Sequence, residues 1–505
     1  MPDAARTPVL VGVGEIKDQP RDRGAGLEPA ALIEAALRRA EADAGALLLR
    51  RIESIDVVNV VSWPYDDLPG LLCGRVGGAP RRRRHGEIGG HTPVQFLHEA
   101  AALIARGEAS VAAVCGGEAS HTATWARRSG AVLGWTPPRT PIPTGTDWLP
   151  ARNRDYMDPL ARMHGITEPI TVYPLYENAT QAAWGQTPVE GQAESAALWS
   201  ALSEVAAGND TAWIRTPQGA EAIGTMGPAN RPIAWPYPKL MVANPAVNQA
   251  AAVLVTSLAV ARAEGIAEDR LVFLHAGAFA GEPRDWMARP RLDACPAQEA
   301  VLEAMLRAAG GEAPGELELY SCFPVVPKMA RRVLGVSKSA PLSVTGGLTF
   351  HGAPFSNTML HAAAMMVRRL RGGGATSRGL LYGQGGHLTS HHALLLGRDG
   401  TGPEALLRHS DCNTEAAGRR GLPPPIATGA AGEAVVETFT IFFKPDGEIA
   451  QGTVVLRLGY GARTMATVPA SDTATLAVLM ARDATAIGCK GQVGPGREGL
   501  STWAA

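Results

Sequence analysis

Three groupings of side chains carry enough chemistry to weigh first. Six cysteines, Cys73, Cys115, Cys295, Cys322, Cys412 and Cys489, are scattered along 505 residues without a Cys-x-x-Cys pair. That spacing suits reduced thiols rather than a disulfide frame or a zinc site. His387, His391 and His392 follow a glycine turn and invite a metal reading. A turn running into a strand does not converge three imidazoles as one helix face would, and no carboxylates flank them, so no metal site is expected. The run Arg81-Arg82-Arg83-Arg84 has the charge to attract phosphate groups. A solvated, mobile loop is the preferred reading of it.

The elements that must position such residues follow from periodicity. The 58 glycines and 38 prolines gather at the ends of apolar runs, as tight strand-to-helix junctions require. Residues 8–14, 55–61 and 111–117 predict buried strands, with helices over 32–42 and 96–105 between them. The alternation returns with strands at 271–275, 317–320, 342–347, 379–383 and 391–396 and helices at 297–309, 327–334 and 357–370. Two such halves predict a duplicated α/β unit. Between them, residues 122–239 are dense in Trp, Pro, Tyr and Arg, including Trp125, Trp135, Trp148, Trp184, Trp199, Trp213 and Trp235, and read as an excursion that builds a lid or pocket wall. Three β-type runs at 435–443, 452–459 and 463–468 predict a small C-terminal barrel, folding separately from about Pro403.

Composition narrows the function. Lys plus Arg number 47 against 48 Asp plus Glu, a net charge of −1, and 46% of residues are hydrophobic. Neither a disordered tail protein nor a basic nucleic-acid binder fits that balance. Met1 to Arg6 carry no apolar leader, and no apolar run approaches the ~18 residues of a membrane span. A cytoplasmic protein without nucleic-acid partners or a transmembrane segment is expected.

Seven stretches, in order, resemble the thiolase superfamily: Gly89-Gly90-His91-Thr92-Pro93-Val94-Gln95, Cys115-Gly116-Gly117-Glu118-Ala119, Tyr173-Pro174-Leu175-Tyr176-Glu177-Asn178, Tyr237-Pro238-Lys239-Leu240-Met241, Tyr320-Ser321-Cys322-Phe323, Gly346-Gly347 through Pro354, and Tyr382-Gly383-Gln384-Gly385-Gly386. The likeness runs over residues 7–397 and is to the sterol-carrier-protein-associated branch, in the group of thiolase-like proteins type 1. The last strands resemble the OB-fold domains carried by, or paired with, such proteins. The resemblance implies an α/β, duplicated five-layered αβαβα fold with a loop domain, plus a small OB-like C-terminal β-barrel. It divides the chain into a thiolase N-terminal half at 1–121, a loop or lid excursion at 122–239, a return to the N-terminal half at 240–265, a C-terminal half at 266–398, and a linker with the OB-like domain at 399–505.

The resemblance also assigns positions in the site. The nucleophilic cysteine at the start of a buried helix is replaced: Gly90 falls at its position, with His91 beside it. Cys115, the nearest thiol in sequence, belongs to a strand and reads as core packing. Tyr320 stands where thiolases place an oxyanion-contacting Asn or His; a phenol can serve there, and a core tyrosine is the alternative. The activating histidine of Gly-His-Pro is missing from Gly352-Ala353-Pro354, while His351 lies just upstream. The last thiolase cysteine would fall near Gly379, and no thiol is there. His387, beside Gly385-Gly386, is a further pocket candidate. Catalytic expectations therefore rest on Tyr320, His351, His91 and His387, and substrate-binding ones on Gly90, Gly346, Gly347, Gly385 and Gly386.

The implied function is that of an acyl-CoA protein, related to acetyl-CoA acetyltransferases and lipid metabolism, acting on or binding a coenzyme A thioester without the usual cysteine. The chemistry would be acyl transfer or retro-aldol cleavage of a carbon–carbon bond. The alternative is a catalytically degenerate acyl-CoA or lipid-binding protein. No bound cofactor is expected; the coenzyme A thioester is substrate or ligand. A homodimer through a sheet edge at 111–114 and a monomer both stay open.

Overall fold

The computed structural model describes residues 3–139, 153–407, 410–496 and 499–505, so Trp148 lies outside the described residues. In chain order the strands are β1 (Pro8–Lys17), β2 (Ser54–Val57), β3 (Arg82–His85), β4 (Val111–Ala119), β5 (Pro232–Ala234), β6 (Tyr237–Pro238), β7 (Asn248–Ser257) and β8 (Val272–Gly281). They continue with β9 (Glu316–Leu319), β10 (Arg378–Gly385), β11 (Ser390–Gly397), β12 (Ser410–Asp411), β13 (Gly432–Phe443), β14 (Ile449–Leu458), β15 (Arg463–Pro469), β16 (Lys490–Pro495) and β17 (Ser501–Ala504).

The first sheet runs β3-β2-β4-β7-β1-β8-β11-β10-β9, with β12 beside β8. Its two halves repeat one pattern. In the first, β2 is parallel to β4, then β7 and β1 follow antiparallel. In the second, β9 is parallel to β10, then β11 and β8 follow antiparallel. The two half-sheets pair where Val9 faces Phe273 and Leu10 faces Val272.

The duplicated layers follow from which faces are apolar. All ten residues of β7 are buried, as expected of a strand covered on both faces. Helix Pro29–Ala44 covers one face of the first half; Pro29 opens it and Gly45, at φ 71°, stops it. Gly12 and Gly14 of β1 are required there, because a Cβ at either would strike the backbone of that helix. Helices Thr92–Ala105 and Thr358–Gly372 fill the centre between the half-sheets, and Pro296–Ala309 and Val325–Leu334 cover the outer face of the second half. The order is αβαβα.

Strands β13-β14-β15-β17-β16 close on one another as a five-stranded barrel, and the hairpin β5-β6 from the lid region extends it through Phe442 and Ala234. The lid itself is mainly helical, with long helices at Pro169–Ala183 and Pro188–Ala207. Residues stretching beyond the core strands are bound to the core: Leu406, Cys412, Ala416, Val455 and Met465 are buried in the same apolar cluster as the central helices.

Three expectations change. Residues 342–347 form no strand, because the amides of Val344 and Thr345 are taken by the buried Glu318 carboxylate instead of a neighbouring strand. The strand at 111–114 is interior, between β2 and β7, and the sheet edges are β3 and β9. Arg82 to Arg84 lie in the edge strand β3 rather than in a loop, and each arginine of the run meets a carboxylate: Arg81 with Glu53, Arg82 and Arg84 with Asp56, and Arg83 with Asp67. A charged edge of this kind resists pairing with a second sheet.

Candidate functional site

The turn Gly89-Gly90-His91 leads into the buried helix Thr92–Ala105, with Thr92 donating its hydroxyl to the Gly89 carbonyl at 2.7 Å. Free backbone N–H groups at such a helix start favour negative charge. The Gly89 amide donates to Ser356 Oγ at 3.0 Å, so the loop after Gly352-Ala353-Pro354 holds this turn.

Tyr320 follows β9 and is fixed by its amide, which donates to the Tyr382 carbonyl at 3.2 Å. A Cβ built on Gly90 would collide with the Tyr320 hydroxyl oxygen and lie 2.6 Å from the Gln384 carbonyl. The phenol therefore fills the volume that a side chain at position 90 would need. Among the described residues its hydroxyl makes no hydrogen bond, and burial, with Cys322 nearby, holds its pKa above the usual tyrosine value.

Strand β10 brings its glycines against the same turn. A Cβ on Gly383 would sit 3.1 Å from the Gly90 carbonyl, and one on Gly385 would strike the His91 ring. His91 is half-buried, but its Nδ1 is enclosed and has no partner among the described residues. Burial, with Arg284 adding to it, lowers its pKa to about 4, so the imidazole is neutral. His91 lines a cavity of about 580 Å³ together with Gln95, Glu99, His391 and Arg82.

Beyond Gly385, the Gln384 side chain donates to the Tyr173 hydroxyl at 2.6 Å and to Cys322 Sγ at 3.2 Å, while its Oε1 accepts from Leu388 N at 3.2 Å. Tyr173 stacks on Phe323 with ring centroids 4.5 Å apart and presents its edge to His387 at 6.2 Å. His387 is fully buried, and neither ring nitrogen has a partner among the described residues. Burial, then the Arg289 charge, lowers its pKa to about 3. Arg289 in turn donates to the His387 and Leu388 carbonyls at 2.6 and 2.7 Å and so fixes the turn. Leu388 is held at φ 56°, a left-handed conformation that costs a side-chain-bearing residue about 1 kcal/mol or more.

The structure thus brings Tyr320, Gly90, His91, Gly385, Gly386 and His387 into one neighbourhood. Gly346 and Gly347 act one step back: at φ 101° and 74° they let the chain pass against Ala206 and the Ser321 hydroxyl. His351 makes its contacts elsewhere, with Thr211, Gly352 and the His361 ring. His391 points its nitrogens at Tyr382, Cys295 and the Leu388 carbonyl, while His392 meets His98, so the three downstream histidines do not converge.

The two thiols nearest the site in the sequence, Cys115 and Cys322, are enclosed. Cys115 is buried in the cluster under the outer helices, and burial raises its thiol well above the usual range. Burial pushes Cys322 up to about 12. A side chain at Gly379 would strike Met366 Sδ.

Sequence reasoning missed Tyr173, Gln384, Arg289 and Ser356 as parts of the site. Tyr173 and Gln384 stand inside two of the family-marking stretches, which was the available signal. Other marker residues hold the lid: Tyr237 donates to Glu177 at 2.6 Å, and Lys328 pairs with the same carboxylate while reaching Ser195 at 2.8 Å.

A larger, mainly apolar cavity of about 1040 Å³ opens beside the same loop, walled by Trp63, Trp135, Leu133 and Phe355, with Arg127 and Arg128 on its lining. Phe355 is adjacent to Ser356, which holds Gly89. Apolar walls with a few charged groups suit a mainly apolar ligand that carries an anionic part.

The family described as the thiolase-like protein type 1 additional C-terminal domain matches residues 420–498. The monomeric SCP2-thiolase-like protein type 1 of Mycobacterium smegmatis is similar over the full length of both chains, with 26% identity and a TM-score of 0.82. Over its full length the chain resembles that thiolase-like protein of type 1, and its C-terminal part matches the additional domain of that group. Two further structures share the fold of the thiolase-like core. The Ltp2-ChsH2(DUF35) aldolase is 17% identical over 78% of this chain and 99% of that one, with a TM-score of 0.59. An acetyl-CoA acetyltransferase of Syntrophomonas wolfei is 16% identical over 78% and 100%, with a TM-score of 0.55. No curated protein sequence matches. Among the described residues, no helix of this thiolase-like chain is long and apolar enough to cross a membrane.

Proposed function

We propose that this thiolase-like chain acts on a coenzyme A thioester without a cysteine nucleophile, with Tyr320 as the group that meets the thioester oxygen. The observation that carries the reading is the Tyr320 hydroxyl in the space above Gly90, at the start of the central helix. Burial keeps the phenol protonated, so it is a hydrogen-bond donor to developing negative charge rather than a resting base.

That role fits retro-aldol cleavage of a β-hydroxyacyl thioester better than acyl transfer. His91, neutral and with an unpartnered nitrogen, takes the hydroxyl proton. The Cα–Cβ bond breaks, and its electron pair moves to the thioester oxygen as an enolate. Tyr320 and the helix start hold that oxygen. The carbonyl product leaves, and the enolate carbon recovers the proton from His91. His387 and Gly385-Gly386 shape the wall behind the reacting carbons. The apolar cavity beside Phe355 takes the ligand's apolar portion, and Arg127 and Arg128 face its phosphates. The charged edge β3 favours a monomer, and a cytoplasmic location fits the reduced, buried thiols.

A second reading, a binding protein without turnover, is favoured by Ala353 at the position of the activating imidazole. A panel of acyl-CoA and β-hydroxyacyl-CoA compounds followed by mass spectrometry separates the two. Product formation with a β-hydroxyacyl-CoA is expected; saturable binding with every compound intact would leave the binding protein.

A further inference from the structure

A second polar cluster lies deep in the core, built from three elements of the fold. Glu15 comes from β1, His361 from the central helix Thr358–Gly372, and His351 from the end of the turn Gly347–His351. The two histidines are 0% exposed and the Glu15 side chain 1%. His361 Nδ1 is 2.7 Å from Glu15 Oε1. The Thr211 hydroxyl is 3.3 Å from the same oxygen and 3.4 Å from His351 Nε2. One ligand-type atom from each of Glu15, His351 and His361 lies within 4.8 Å of the others.

Those spacings resemble a coordination shell. Ligand atoms around a tetrahedral ion with ~2.0–2.1 Å bonds stand about 3.3 Å apart. Hydrogen bonding alone leaves the cluster incomplete: His361 Nε2 has no partner among the described residues, and both His351 contacts are long, at 3.4 Å. Burial, with the neighbouring His361 adding to it, lowers the His351 pKa to about 3, so this imidazole is neutral and keeps a lone pair. Two cations face the cluster. Lys17 is tied to the Ala212 carbonyl at 2.8 Å, and Arg368 is paired with Glu15. The Arg368 side chain is 40% exposed and has solvent to move into.

We propose that Glu15, His351 and His361, with the Thr211 hydroxyl as a fourth donor, form a site for a divalent transition cation of the zinc class, and that the ion displaces Arg368 from Glu15. Two imidazoles with carboxylate and hydroxyl oxygens suit zinc or cobalt rather than calcium or magnesium. With all four positions supplied by the protein, the site is structural. It ties β1 to the central helix and to the turn that leads into Gly352-Ala353-Pro354. The inference does not depend on the coenzyme A reading.

The test is titration of the full chain, stripped with a chelator, with cobalt(II) chloride, followed by visible absorption and by metal content after gel filtration. One equivalent with the absorption of a tetrahedral cobalt site is expected, lost in Glu15→Gln and in His351→Asn. Because those core variants can fail to fold, Arg368→Gln supplies an independent readout: removing the competing guanidinium should tighten cobalt binding by about tenfold or more, since ~1.4 kcal/mol of lost competition is tenfold in affinity. No stoichiometric cobalt spectrum in the wild-type chain would overturn the site. Unchanged affinity in Arg368→Gln would overturn the displacement.

Discussion

The phenolic oxygen of Tyr320 and the Cα of Gly90 are packed so closely that no side chain fits between them. Gly90 is therefore the steric partner of Tyr320, and in the proposed site the two residues belong together. Gly90→Ala is expected to lose about 1–3 kcal/mol of stability through overpacking. Tyr320→Phe should relieve part of that loss, because it removes the colliding oxygen. Urea unfolding of both single variants and the double variant measures the coupling, and strict additivity would place the two residues apart.

No acyl-cysteine should form. Cys115 and Cys322 are buried and held as thiols, and thiolate is the reactive form. Intact mass after incubation with acetyl-CoA should be unchanged. A stoichiometric acetyl adduct mapped to either residue would contradict the geometry.

Glu318 gives the stability a pH dependence of defined sign. Burial, outweighing donations from Ser343, Thr345 and the Val344 and Thr345 amides, pushes its carboxyl up to about 7. An unfolded glutamate titrates near ~4.3. Between those values the folded chain holds a proton that the unfolded chain lacks, so this contribution is full below the unfolded pKa and is lost as pH rises through about 7. The melting temperature should fall from pH 5 to pH 8, and Glu318→Gln, which fixes the neutral form, should flatten the profile.

The barrel is anchored by Arg463, fully buried, which donates to the Met287 and Arg289 carbonyls at 2.6 and 2.7 Å and pairs with Glu437. Arg463→Met leaves both carbonyls without a donor, while Glu437 keeps its pairing with Arg457, and should cost about 1–3 kcal/mol per stranded carbonyl, read by urea unfolding. A chain truncated after Gly402 should aggregate, because it removes Leu406, Cys412 and Ala416 from the core cluster. A soluble, cooperatively folding truncated chain would show the separable unit that the proline-rich break suggests.

Strands such as β1 and β4, and the central helices, were legible because they are buried and largely apolar, whereas β7, equally buried, is not among the strands the pattern predicts. Tyr320, His91 and His387 are singled out as candidates only through the order of motifs around them. What local sequence does not encode is partnership across the fold. Arg82 and Arg84 look like solvated charge until Asp56, far away in sequence and wholly buried, is placed beside them. His351 looks like a substitute for a catalytic imidazole until Glu15 and His361 are brought to it. Residues 342–347 have the apolar pattern of a strand, and a single carboxylate, Glu318, takes the amides that a strand would use.

The most direct test of the central claim is turnover of a β-hydroxyacyl-CoA by wild type and Tyr320→Phe, with melting temperature measured on the same preparations. The ring stays, and only the phenolic hydroxyl is removed. With Tyr320 at the thioester oxygen, kcat should fall by about 10²–10³-fold, as for loss of one oxyanion donor, while KM and melting temperature change little. Unchanged kcat with a lowered melting temperature would make Tyr320 a core residue and contradict the proposed chemistry.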